Sequence, residues 1–268
     1  MSHDEIHESN TQLHGSWRFF ARNSVAGEVL DLPEVSIASS NVSWSMMNAA
    51  FLPTRVETEE ALERAAATAA RHLAPKGRGW MLALCEDQVP PRLRERAGEL
   101  FAPHGLKLSM VATGMVAERL APAMRPQPVL EVRQTTDAQG RRDLADVNSR
   151  CYDVPLATGR EAFDVPGLFS GDGTGFVGYR HEEAATSAAV IRVDGVAYVS
   201  MVATLPPHRQ LGCAEAVMRH ALGEAERAWG IQRTVLHATP AGLPVYRRMG
   251  YRPVTRFHFY MAAPPQGR

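Results

Sequence analysis

The chain has few cysteines, no excess of either charge and no long apolar run, and each lack removes a class of protein. Three cysteines, Cys85, Cys151 and Cys213, lie far apart without a CxxC pair, which argues against a disulfide framework or a zinc site and fits a reducing cytoplasm. Lys plus Arg and Asp plus Glu both number 29 in 268 residues, so no net positive field is available to hold a nucleic-acid backbone. The opening MSHDEIHESN is polar and acidic where a signal peptide needs basic and then apolar residues, and the most apolar later stretch is broken by Arg192 and Asp194. Neither secretion nor a membrane partner is expected. His3 and His7 have helical ligand spacing without a third ligand, so no metal is expected.

What is present is a globular balance, 45% hydrophobic and 22% charged residues, with length enough for two modest cores. Residues 1–16 read as a flexible terminus. APAMRPQP, residues 121–128, has three prolines and reads as a linker between a domain over 17–120 and another over 129–268.

After the linker, LEVRQTT alternates like a strand and residues 141–152 have helical spacing. Residues 153–175 mix Gly and Pro and read as an irregular segment. Then FVGYRH, ATSAAVIRV and AYVSMVATL form an antiparallel meander, with Asp194-Gly195 as a hairpin dipeptide. An amphipathic stripe from Leu211 to Trp229 ends at Gly230. A strand RTVLHA, a helix with Thr239 as N-cap and Pro240 at its first position, and a strand TRFHFYMA complete the order β-α-β-β-β-α-β-α-β in an α/β, mixed-sheet fold.

The first half repeats the end of that order, and Leu52-Pro53 stands 153 positions before Leu205-Pro206, each pair ahead of a long helix. An internal duplication is expected.

Chemistry concentrates where AYVSMVATL turns into its helix. There Arg209, Gln210, Leu211, Gly212, Cys213, Ala214 and Glu215 form a tight turn. First-turn amides have no intrahelical partner, the helix dipole adds partial positive charge, and Gly212 with small Ala214 lets a pyrophosphate approach the backbone. At the equivalent place the first half has Val56-Glu57-Thr58-Glu59-Glu60-Ala61, three carboxylates and no glycine, which repels an anion.

The 209–214 turn resembles the [QR]xxGx[GA] motif of the GNAT (GCN5-related N-acetyltransferase) superfamily, and LHATPAGLPVYRRMGY resembles its second motif, a strand and a helix ending in Tyr-x-x-x-Gly-aromatic. The resemblance covers residues 130–262 and implies a splayed central sheet holding acetyl-CoA as cosubstrate. It implies that the backbone of Val202, Ala203 and Thr204 pairs with pantetheine, that residues 209–215 wrap the pyrophosphate, and that Tyr246 protonates the leaving thiolate. Thr239 stands where the family often has Asn. The first half then resembles a degenerate repeat of the same fold.

Two readings stay open at single residues. Tyr246 has the apolar spacing of a core tyrosine as well as the motif position of an acid, and His237 suits either a hydrogen-bonded core histidine or a base for the incoming amine. Asp164 and Asp172 either attract a cationic acceptor or are simply solvated. The function implied is acetyl transfer from acetyl-CoA to a small-molecule or peptide amine by direct attack in a ternary complex. The alternative is a non-catalytic acyl-CoA-binding sensor or interaction module.

Overall fold

A computed structural model describes residues 3–264; the side chain of His3 lies outside what it describes, as do residues 1–2 and 265–268. The chain divides into two compact units, Met1–Gly114 with Val254–Arg268, and Met115–Pro253. The division falls between Gly114 and Met115 and between Pro253 and Val254.

The first unit opens with helix α1 (His3–Asn23), where the polar start suggested a flexible terminus. Its buried Ser9, Gln12, Leu13, Ser16 and Phe20 explain the correction, because the inward face carries small polar residues that hydropathy does not flag. Strands β1 (Glu28–Asp31), β2 (Ser36–Ser39) and β3 (Asn48–Phe51) follow, then helix α2 (Glu59–Leu73), β4 (Trp80–Cys85), helix α3 (Pro91–Phe101) and β5 (Lys107–Ala117). Helix α2 buries Leu62, Ala65, Ala66, Ala69 and Leu73, the one-face spacing of an amphipathic helix, against Trp80, Leu82 and Leu84 of β4.

The second unit contains β6 (Glu131–Gln134), helices α4 (Ala138–Cys151) and α5 (Leu156–Phe163), strands β7 (Gly173–Arg180), β8 (Glu183–Val193) and β9 (Val196–Thr204), helix α6 (Cys213–Trp229), β10 (Thr234–Ala238) and helix α7 (Leu243–Arg248). Strand β11 (Arg252–Ala262) ends the described order. Helix α5 is a second correction, since residues 153–175 read as irregular. It is a short helix between Pro155 and Asp164, with Gly159, Ala162 and Phe163 buried, too short for a clear periodic signal.

In the first unit the strand order is β1-β2-β3-β4-β11-β5, with β3 parallel to β4 and β11 antiparallel to β4 from Phe257↔Cys85 to Ala262↔Trp80. In the second it is β5-β10-β9-β8-β7-β6, with β5 contributing its last residues, Met115 to Ala117. The meander β7-β8-β9 is antiparallel, and its second hairpin turns on Asp194 and Gly195 at φ +45° and +76°, the left-handed pair that a type I′ turn requires. Helix α6 packs Val217, Met218, Ala221 and Ala225 against Val190, Val199 and Leu236.

No helix among the described residues is long and apolar enough to cross a membrane.

Candidate active site

The site begins with a defect in β9. Pairing with β8 runs regularly from Val193↔Val196 to Ala189↔Ser200, then resumes at Ser187↔Ala203, so two residues of β9 face one of β8. Met201 takes a left-handed φ of +53° within this bulge. Hydroxyls of β8 hold the deformed backbone: Ser187 Oγ donates to Met201 O at 2.9 Å and Thr186 Oγ1 to Ala203 O at 2.8 Å. Asn148 Nδ2, from α4, donates in turn to Ser187 Oγ at 3.0 Å.

The bulge has a consequence on the other side of β9. The parallel ladder to β10 runs from Thr234↔Ala197 to Leu236↔Val199 and stops there, although β9 continues to Thr204 and β10 to Ala238. Beyond that point the two strands part and leave the backbone of Met201, Val202, Ala203 and Thr204 without a strand partner on the β10 side.

A cleft of about 1060 Å³ opens at the parting. It is lined by Val202, Ala203, Thr204, Arg209, Gln210, Leu211, Gly212, Cys213, Ala214, Glu215, His237 and Tyr246, so the residues expected to hold the cofactor or to move protons meet in one cleft. Asp164 and Asp172 are not in the lining. Asp164 pairs with Arg142 at 2.8 Å and Arg141 at 3.3 Å, and Asp172 is held by Arg192.

The turn into α6 has the geometry for an anion. Gln210 and Gly212 adopt φ of +62° and +82°, and Gly212 is the N-cap with no side chain capping the helix. The first-turn amides therefore present themselves to the cleft at the positive end of a 17-residue dipole. Arg209 Nε donates to Thr204 O at 3.0 Å, which ties the turn to the end of β9. Glu215 lies in the same turn, but Arg219 neutralises it at 2.8 Å. Cys213 is buried, and burial raises its thiol despite nearby Arg180, so it stays protonated.

Tyr246 lies on α7, which begins at Leu243 with Gly242 as N-cap, three residues later than Thr239-Pro240 suggested. Thr239 instead closes a turn, accepting from the Gly242 amide through both its carbonyl and Oγ1. The half-buried Tyr246 ring packs against Tyr251 and lies so close to Gly242 that a Cβ there would stand 2.7 Å from its Cε2. Gly242 is a site residue that sequence reasoning missed; its signal was a glycine four positions before the motif tyrosine. Burial first, and then the neighbouring Tyr152, Tyr251 and Tyr198, push the Tyr246 hydroxyl well above its ordinary pKa, so it is a proton donor across the neutral range.

His237 is half-buried on β10, with Nδ1 3.1 Å from the hydroxyl of buried Tyr198. The cleft is also lined by Tyr152 of the α4 end, by Arg248 and by Met124 to Gln127, none of which the motifs indicated. No group of three or more His, Cys, Asp or Glu able to hold a metal occurs among the described residues.

The bulged β9 at Met201, the uncapped turn at Gly212 and Tyr246 all lie within residues 192–254, which match the family model described as an acetyltransferase (GNAT) domain. That stretch of the second unit is thus similar to a GNAT domain, a family whose general chemistry is acyl transfer. Whole-chain likeness extends the fold assignment. A GCN5-related N-acetyltransferase from Kribbella flavida superposes with a TM-score of 0.69 at 18% identity, over 98% of this chain and 96% of that one. A putative GNAT acetyltransferase from Novosphingobium aromaticivorans superposes with a TM-score of 0.54 at 15% identity, over 94% of each. A tandem GNAT protein from the clavulanic acid biosynthesis pathway superposes at 0.50 and 16%, over 87% and 79%. No curated protein sequence matches the chain.

Proposed function

We propose that the second unit transfers an acetyl group from acetyl-CoA to an amine by direct attack in a ternary complex. One observation carries the reading: the unpaired backbone of β9 and the uncapped turn of α6 line one cleft with Tyr246. Pantetheine would add to Val202, Ala203 and Thr204 as a strand adds to an open edge, while the pyrophosphate meets the amides of 209–215 and Arg209.

The amine nitrogen attacks the thioester carbonyl, forming a C–N bond and a tetrahedral oxyanion stabilised by N–H donors of β9. Collapse breaks the C–S bond, and Tyr246 gives its proton to the departing thiolate. The proton lost by the amine goes to His237, directly or through water. Protonated Cys213 supports direct attack over a cysteinyl intermediate. The acceptor is a small-molecule or peptide amine.

The first unit is a degenerate GNAT-like repeat in this reading. Its order β3-α2-β4-α3-β5 repeats β9-α6-β10-α7-β11, and β3 with β4 is parallel as β9 is with β10.

Incubation with acetyl-CoA and an amine panel, followed by thiol release, tests the activity. Acetyl-CoA binding without thiol release from any amine would make the protein a sensor instead of an enzyme.

A further inference from the structure

The proline-rich segment before β6 does more than connect. Met124, Arg125, Pro126 and Gln127 line the cleft, and Pro128 Cδ stands 3.3 Å from where a Cβ on Gly212 would be. The segment therefore passes directly over the turn that opens α6. The segment, with three prolines, lies in neither helix nor strand and bends at Met124 and Arg125, and Gln127 Nε2 donates to the Arg125 carbonyl at 3.2 Å, bracing the backbone at that arginine.

Charge gives the segment a ligand. The one carboxylate in the cleft lining, Glu215, is already neutralised by Arg219. Arg125 has no ion-pair partner among the described residues, and its exposed guanidinium belongs to a cleft whose other cations include Arg209 and Arg248. An arginine with no carboxylate to hold, set beside uncapped amides, suits a phosphate, which its planar fork grips through two donors.

We infer that residues 124–128 form a third wall of the acyl-CoA cleft and that Arg125 binds a phosphate of the cosubstrate. The inference rests on the acetyl-CoA reading of the second unit. It gives the segment a binding role that no motif of the chain assigns.

Calorimetric titration of wild type and Arg125→Gln with acetyl-CoA, acetyl-dephospho-CoA and S-acetylpantetheine tests it. The substitution is expected to weaken acetyl-CoA about three- to tenfold, as fits a partly exposed charge-assisted contact, and to leave S-acetylpantetheine unchanged. A loss that disappears with the dephospho compound assigns Arg125 to the 3′-phosphate, and one that persists assigns it to the pyrophosphate; both support the inference. Arg119→Gln, which removes the same charge outside the cleft lining, should bind as wild type does. Equal acetyl-CoA affinity in wild type and Arg125→Gln overturns the inference, as does an equal loss with S-acetylpantetheine or with Arg119→Gln. Wild type that binds none of the three ligands refutes the acetyl-CoA reading itself, a result distinct from all of these.

Discussion

The helix starts of α2 and α6 each follow the first of two parallel strands, and they are built in opposite ways. Thr58 caps α2, its Oγ1 accepting from the Ala61 amide at 3.2 Å, and Glu59 and Glu60 fill the first turn with negative charge. Gly212 caps α6 with no side chain and leaves the amides exposed. The strands ahead of the helices differ in the same sense. The β3–β4 ladder reaches Phe51, the last residue of β3, whereas the β9–β10 ladder stops at Val199, short of Thr204. One unit satisfies its helix start from within and closes its sheet; the other leaves both open. The same backbone groups are thus satisfied by a side chain at one helix start and left for another partner at the other.

The contrast is broken most severely at Gly212. Gly212→Glu sets bulk and charge against the phosphates and should weaken acetyl-CoA by about 100-fold or more, while the left-handed φ adds about 1–2 kcal/mol of strain that a folded protein tolerates. Calorimetry on the folded variant measures this, and unchanged affinity would show that the turn binds nothing. The same titration of wild type should give one site per chain, since the α2 start is already capped and acidic.

Tyr246→Phe comes next. It keeps the ring against Gly242 and Tyr251 but removes the donor, and kcat at saturating acetyl-CoA should fall about 100-fold with cofactor Kd unchanged. A weakened Kd with normal kcat would make the tyrosine a wall of the cleft.

His14 distinguishes the first unit through pH. Burial first, then Arg18, lowers its pKa from 6.5 to about 3, and its ring lies 4.3 Å from that of Phe51. The folded chain keeps the imidazole neutral while the unfolded chain takes up a proton below pH 6.5. Stability present above that pH is therefore lost as pH falls toward 3, by about 2 kcal/mol between pH 8 and 5. His14→Phe should remove this part of the acid loss in denaturant titrations at the two pH values; an identical loss in the variant would discount His14.

The smallest effect is expected at Thr58. Thr58→Ala should cost about 1 kcal/mol of stability and leave acetyl-CoA affinity where it was, which thermal melting and calorimetry together check.

The turn at 209–215 was legible as an open helix start because its signal is local: a glycine at a helix start and a tyrosine at fixed spacing from another glycine are written within a few residues. The meander β7-β8-β9 and helices α2 and α6 followed from periodicity for the same reason. The bulge was not legible, because it depends on Ser187 and Asn148 meeting Met201 across two elements, and hydroxyls within ATSAAVIRV look like ordinary strand residues. Helix α1 escaped because its buried face carries Ser9, Gln12 and Ser16. Residues 121–128 read as a spacer because proline spacing reports stiffness and is silent on what the segment lies against.

Strand β11 bears on how this chain can be cut. Its residues from Val254 onward belong to the first unit, where Phe257 to Ala262 run antiparallel to β4, and Phe257, Phe259 and Tyr260 are buried there. A protease that nicks residues 121–128 would leave two pieces still joined by that ladder, separable by denaturant and not by gel filtration. Expressing 129–268 alone would send out a strand with three buried aromatics and no β4 to cover them. The smallest folding unit consequently has to keep β4 and β11 together, and a chain split at its midpoint is expected to yield an aggregating fragment.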